Sequence, residues 1–169
     1  MITFYLAAAI AIAATAMVIT RSNAVHALLY LIVSLLAVGV IFYLLGAPFA
    51  AALEVIIYAG AIMVLFAFVV MMLSLGSRAA ARERQWLSPA VWLGPGLLAL
   101  ILAGELGYLL LASHVSPGAA KTASVGPARV GKDLFGPYLL AVELASILLL
   151  AALAGAYHLG RGSAQPGEP

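Results

Sequence analysis

Long stretches without charge constrain this chain most. Residues 1–20, 22–53, 55–77 and 85–104 contain no Lys, Arg, Asp or Glu. A helix that crosses the hydrocarbon needs about 20 mostly apolar residues at ~1.5 Å each. Five such spans fit, at about 2–19, 27–45, 49–75, 90–112 and 136–159. Water is absent from the bilayer core, so the backbone must satisfy its own hydrogen bonds, and helices do so. The apolar runs are continuous rather than alternating, which excludes a membrane barrel. The expected fold class is an all-α integral membrane protein with five transmembrane helices. They form one domain over residues 1–159, followed by a polar C-terminal tail over 160–169.

Composition excludes several alternatives. Only 8% of the residues are charged, against roughly 25% in ordinary soluble domains. A water-soluble enzyme of this size cannot cover its surface with so few charges. The chain is 66% hydrophobic, whereas disordered chains are poor in apolar residues. It has no Cys, and therefore no disulfide, thiolate nucleophile or Cys-ligated cluster. No basic run with interleaved aromatics suggests nucleic acid as a partner; the lipid bilayer is the expected surroundings.

The separators between spans make physical sense. Arg21-Ser22-Asn23 divides the first two. Gly46-Ala47-Pro48 predicts a short turn, with Gly after one helix and Pro opening the next. Ser88-Pro89 reads as an N-cap followed by proline at the first helical position. Residues 113–135, rich in Gly, Ser and Pro, read as a longer loop. The first segment lacks the basic start of a signal peptide and reads as a retained span. Arg21, Arg78, Arg82, Arg84 and Arg161 fall on one side of a five-span arrangement, and Lys121, Arg129 and Lys132 on the other. The positive-inside rule then places the N-terminus outside and the C-terminus in the cytoplasm.

Glu54, Glu105 and Glu143 lie within predicted spans. An acid at a helix centre costs roughly 2.5–3.5 kcal/mol on insertion scales, so such groups usually face a protein interior or a water path. Glu105, in ALILAGELGYLLLAS, has no distinctive neighbours and is expected to reach towards the outer headgroups. Glu54 and Glu143 have more informative surroundings. From Glu54 the third span reads EVIIYAGAIMVLFAFVVMM. At regular helical spacing Glu54, Tyr58, Ala61 and Leu65 share one face. A carboxyl and a phenol one turn apart can exchange hydrogen bonds with each other, with water or with an adjacent helix.

Ala59-Gly60-Ala61 beside them has almost no side-chain bulk. One reading is a close-packing notch for a neighbouring backbone. Another is a π-bulge, whose steric cost Gly60 lowers. Such a bulge would rotate the following segment by about 100°, so that Met63, Leu65 and Phe66 present different faces. Met63, Met71 and Met72 otherwise read as flexible packing. His26, His114 and His158 are scattered without metal-ligand spacing. Several Trp and Tyr residues suit membrane interfaces, but Tyr58 lies deeper. No GxSxG, P-loop or HExxH pattern occurs.

Three stretches carry a family resemblance: NAVHALLYLIVSLL (23–36), LEVIIYAGAIMVLFAFVVMML (53–73) and FGPYLLAVELASILLLA (135–151). They resemble the J-subunit family of bacterial NADH–quinone oxidoreductase, respiratory complex I. The resemblance implies a non-catalytic membrane-arm subunit of a proton-pumping enzyme in the bacterial inner membrane. It implies packing against the A, H, K and L/N-type membrane subunits. It also implies no cofactor in this chain, with FMN, iron–sulfur clusters and quinone held by other subunits. In that family the third helix carries a π-bulge at the YAGA region. Conversion between bulged and regular helix is proposed there to open or close a water path coupling quinone reduction to proton translocation. By motif position the gate falls on Tyr58, Ala59, Gly60, Ala61, Met63 and Val64. The proton-path candidates are Glu54, Tyr58 and Glu143, the last from VELAS. Two other readings remain: a J-like scaffold of a multisubunit cation/proton antiporter, and a stand-alone small cation transporter using Glu54 and Glu143.

Overall fold

The computed structural model describes residues 2–73, 89–115 and 124–161. Their regular structure is helical throughout: α1 (Ile2–Thr20), α2 (Ala24–Leu44), α3 (Pro48–Leu53), a π segment (Glu54–Ile62), α4 (Met63–Leu73), α5 (Pro89–Val115), α6 (Pro127–Leu134) and α7 (Leu139–Gly160). Among the described residues five stretches are long and apolar enough to cross a membrane: Ile2–Thr20, Ala24–Leu44, Pro48–Met72, Trp92–Leu111 and Leu139–Gly160. Ser88, Arg78, Arg82, Arg84, Lys121 and tail residues 162–169 lie outside the described residues. The chain divides into two compact units, residues 1–125 and 126–169.

In the first unit, α1 and α2 form the principal helix pair. Ala7, Ile10 and Ala14 bury one face of α1, while Tyr30, Val33, Ala37 and Val40 bury one face of α2. Both sets recur every three or four residues, as one helix face requires. The alanines bring the two backbones close, the usual means of helix association where lipid removes the hydrophobic drive. A hydroxyl pair fastens the contact: Thr15 Oγ1 and Ser34 Oγ lie 2.8 Å apart. Thr15 also donates to the Ala11 carbonyl at 2.8 Å.

The connections follow from local chemistry. The Asn23 side-chain oxygen accepts from the Val25 N–H at 3.0 Å, capping the first turn of α2. At the other end Gly46 adopts φ +80, a conformation open to glycine at little cost. The Gly46 N–H donates to Tyr43 O and the Ala47 N–H to Phe42 O. This paired closure satisfies two of the last carbonyls of α2. Pro48 then opens α3.

The α5 helix leans on α1 and α2 through Leu98, Ala99, Leu102 and Leu109. Its first half contains Gly94 beside Pro95, the latter lacking a backbone donor inside the helix. A β-carbon on Gly94 would collide with the Tyr30 hydroxyl. The Arg21 guanidinium sits 5.8 Å from the centre of the same Tyr30 ring. Tyr30 is thus held between a cation and a bare stretch of backbone.

The second unit corrects the expectation of a loop running through residue 135. Residues 127–134 form α6, with Pro127 at its start and Lys132 in its last turn. The segment is amphipathic: Val130 and Leu134 lie one turn apart, as do Arg129 and Asp133. A turn over residues 135–138 leads into α7. Nearly all of α7 is exposed within the chain, including Leu144, Ile147, Leu148 and Leu149. Such a face belongs against lipid or another protein.

Candidate functional site

The third span is regular at both ends and widened in the middle. Between Glu54 and Ile62 the helix takes the π form, in which each N–H reaches back five residues rather than four. The ladder is visible where it ends: the Met63 N–H reaches the Tyr58 carbonyl. Ala51 and Met63 show why the wider form fits. Both are buried, and α3, the π segment and α4 all pack on α2. Twelve residues of regular helix would put Met63 about 120° round from Ala51. Wider turns advance less per residue, which returns Met63 to the side of α2.

Gly60 is the residue this geometry needs. A β-carbon there would lie 3.2 Å from the Val55 carbonyl oxygen, tighter than ordinary packing. The absence of bulk at Gly39 on α2 matters in the same region. A β-carbon at Gly39 would come within 3.5 Å of Val55 Cγ2 and 3.9 Å of Glu54 Cγ. The stem of Glu54 therefore passes beside a glycine of the neighbouring helix.

The π winding changes which residues share a face. At regular spacing Ala61, seven residues on, would return to the face of Glu54; in the wider turn it is carried to another side. Glu54, Ala59 and Gly60 are half-buried and Met63 is buried. Tyr58 is 49% exposed, and Ala61, Val64 and Leu65 are exposed as well. The structure thus gathers Glu54, Ala59, Gly60 and Met63 towards α2, and turns Tyr58, Ala61 and Val64 outward from this chain. Glu143 lies in the second unit, exposed on α7, where Ser146 Oγ donates to its backbone carbonyl at 2.8 Å.

Glu105 departs from expectation. It is only 7% exposed, and both carboxyl oxygens are buried without a hydrogen-bond partner. It does not reach out towards headgroups. The reason is its position on α5: Leu98, Leu102, Glu105 and Leu109 follow one another at spacings of three or four, the face that packs on α1 and α2. The Thr15–Ser34 pair is hardly marked in the sequence. Its only signal there is a hydroxyl in each of two otherwise apolar runs.

Residues 14–159 match the family model described as NADH-ubiquinone/plastoquinone oxidoreductase chain 6. The chain belongs to this family. It is 59% identical over 162 residues to NADH-quinone oxidoreductase subunit J of Pseudomonas aeruginosa, covering 96% of this chain and 97% of that one. It is 56% identical to the subunit J of Escherichia coli K12, over 94% of this chain and 85% of the relative. The subunit J of Rhodobacter capsulatus is 37% identical over 90% of this chain and 77% of its own length. The π segment and Gly60 therefore sit inside the region that defines a chain 6 family member, and so do Glu54, Glu105 and Glu143.

Proposed function

We infer that the chain is a membrane subunit of NADH–quinone oxidoreductase, complex I, and works beside other subunits of that complex in a bacterial inner membrane. Family membership and the five apolar helices support this reading. The relatives named subunit J match over most of their own lengths, which favours this machine over an antiporter scaffold or a stand-alone transporter. The partners are the A, H, K and L/N-type membrane subunits, with the N-terminus outside and the C-terminus in the cytoplasm. The chain holds no active site and no cofactor.

Within that complex the chain acts as a conformational gate coupling quinone reduction to proton translocation. The observation that carries this reading is the π segment at Glu54–Ile62. A π turn differs from a regular one by a shift of each hydrogen bond by one carbonyl. The shift turns everything beyond it by about 100°. Two arrangements of one helix, close in energy, form an element that a distant site can bias. Tyr58, Ala61 and Val64 meet partner subunits in one arrangement, and water enters beside Glu54 and Tyr58. In the other, these side chains rotate and the path closes. Glu143 on α7 is a further proton-carrying candidate.

Replacing Gly60 by Val tests this directly in the assembled complex. The β-branched side chain crowds the Val55 carbonyl in the π form. The expected result is an assembled complex that oxidises NADH but pumps fewer protons per quinone reduced. Full pumping in that variant would refute the gate.

A further inference from the structure

Glu105 is placed in a way the gate does not use. It lies inside the apolar span Trp92–Leu111, six residues from its end, or about two turns. Its face of α5 carries Leu98, Leu102 and Leu109 against α1 and α2. The Gly94–Tyr30 contact sets the register of α5 on α2. These are the second and fourth spans and run in the same direction. Eleven residues further along each lie Glu105 and Ile41, so Glu105 is level with the apolar last turn of α2, still within the spans Ala24–Leu44 and Trp92–Leu111.

Among the described residues no group compensates a charge there. On α1 the titratable residue is Tyr5, with Arg21 just after its end, and on α2 they are His26, Tyr30 and Tyr43. Arg21 is engaged with Tyr30, about three turns away at the Gly94 level. Tyr108 on α5 itself is exposed. None of these hydrogen-bonds the carboxyl, and both its oxygens are sealed from solvent. An ionised carboxylate without a partner is very costly in such surroundings, and the usual resolution is neutralisation. The neutral acid costs far less, since only one hydroxyl and one carbonyl are buried.

We propose that Glu105 is an intramembrane proton-binding site, separate from the π segment, whose carboxylate takes up one proton from water and is carried between α1 and α2 as the neutral acid. Uptake is the reaction of COO⁻ with one proton to give COOH, and release returns that proton to water. The site requires only that the subunit be folded in its complex, not that the third helix be a gate.

The test is infrared absorption of the assembled complex in lipid at pH 7, comparing wild type with Glu105→Gln. The wild type should show the carbonyl stretch of a protonated carboxyl that the variant lacks. That band should move to lower frequency in deuterated water. Gln has the shape of the neutral acid, so the variant should assemble with unchanged thermal stability. Glu105→Asp should keep a protonated-carboxyl band at an altered frequency, and this comparison decides the matter if the Gln variant assembles poorly. The proposal is overturned if neither substitution alters the protonated-carboxyl region, or if the bands lost are those of an ionised carboxylate. A Glu54→Gln complex, which alters the proposed gate instead, should retain the band.

Discussion

A β-carbon on Gly60 would stand 3.2 Å from the carbonyl oxygen of Val55, five residues earlier in the third span. Five residues is also the hydrogen-bond reach of a π turn, so any side chain at this position presses on the carbonyl line that defines the widened form. In a regular helix glycine is instead the worse residue, by about 1 kcal/mol relative to alanine. Gly60→Ala should therefore shift the balance towards the regular form by about 1–2 kcal/mol, roughly five- to thirtyfold in the ratio of the two. Proton pumping per NADH oxidised should fall with Ala and fall further with Val. Equal pumping by both variants and wild type would contradict this.

Glu54 and Tyr58 pose a separate question, because the stem of Glu54 lies beside Gly39 of α2 while Tyr58 is 49% exposed. Glu54→Gln keeps the shape and removes the charge; Tyr58→Phe removes only the hydroxyl. Each should lower coupled activity by roughly two- to thirtyfold, corresponding to about 0.5–2 kcal/mol of coupling. NADH oxidation by the soluble redox portion should not change. If coupled activity survives both substitutions intact, the pair is structural.

Tyr30 fills the space where Gly94 would carry a side chain. Gly94→Ala forces one of them to move and should destabilise the packing of α5 on α2 by about 1–3 kcal/mol, as overpacking does. Tyr30→Phe removes the nearest clashing atom, so the double substitution should recover part of the loss. The check is thermal disassembly of the detergent-solubilised complex, read as a double-mutant cycle. Strictly additive effects would show that the two residues do not meet.

The Thr15–Ser34 pair predicts coupling of the same sign from a lost hydrogen bond instead of a clash. Thr15→Val leaves Ser34 with a weaker partner, and Ser34→Ala leaves the Thr15 oxygen without its donor. Each should cost about 0.5–1 kcal/mol, the usual size for an interhelical hydrogen bond. Removing both should cost less than the sum, again read from thermal disassembly.

The five spans were legible because a charge within the hydrocarbon is so costly that its absence marks the helices. The turn at Gly46 and the start of α3 at Pro48 were legible for similar reasons, since few residues tolerate those conformations. The π segment was foreshadowed by glycine between two alanines. Its effect on neighbours was not, because a face drawn through Glu54, Tyr58 and Ala61 assumes the regular period that the segment breaks. Glu105 misled for another reason. Burial of a residue on α5 is decided by where α1 and α2 lie, and nothing within ALILAGELGYLLLAS carries that information. The short helix at Pro127–Leu134 was hidden by the Gly, Ser and Pro content of its surroundings.

The central claim is that the third helix has two forms. Density maps of the assembled, membrane-embedded complex, captured both at rest and during turnover with NADH and quinone, test it most directly. In one state the Met63 N–H should bond to the Tyr58 carbonyl, as it does here. In another it should bond to the Ala59 carbonyl, with Val64, Leu65 and Phe66 turned by about 100°. If Met63 keeps the Tyr58 carbonyl in every captured state, with those side chains unmoved, the helix is a fixed wall and not a gate.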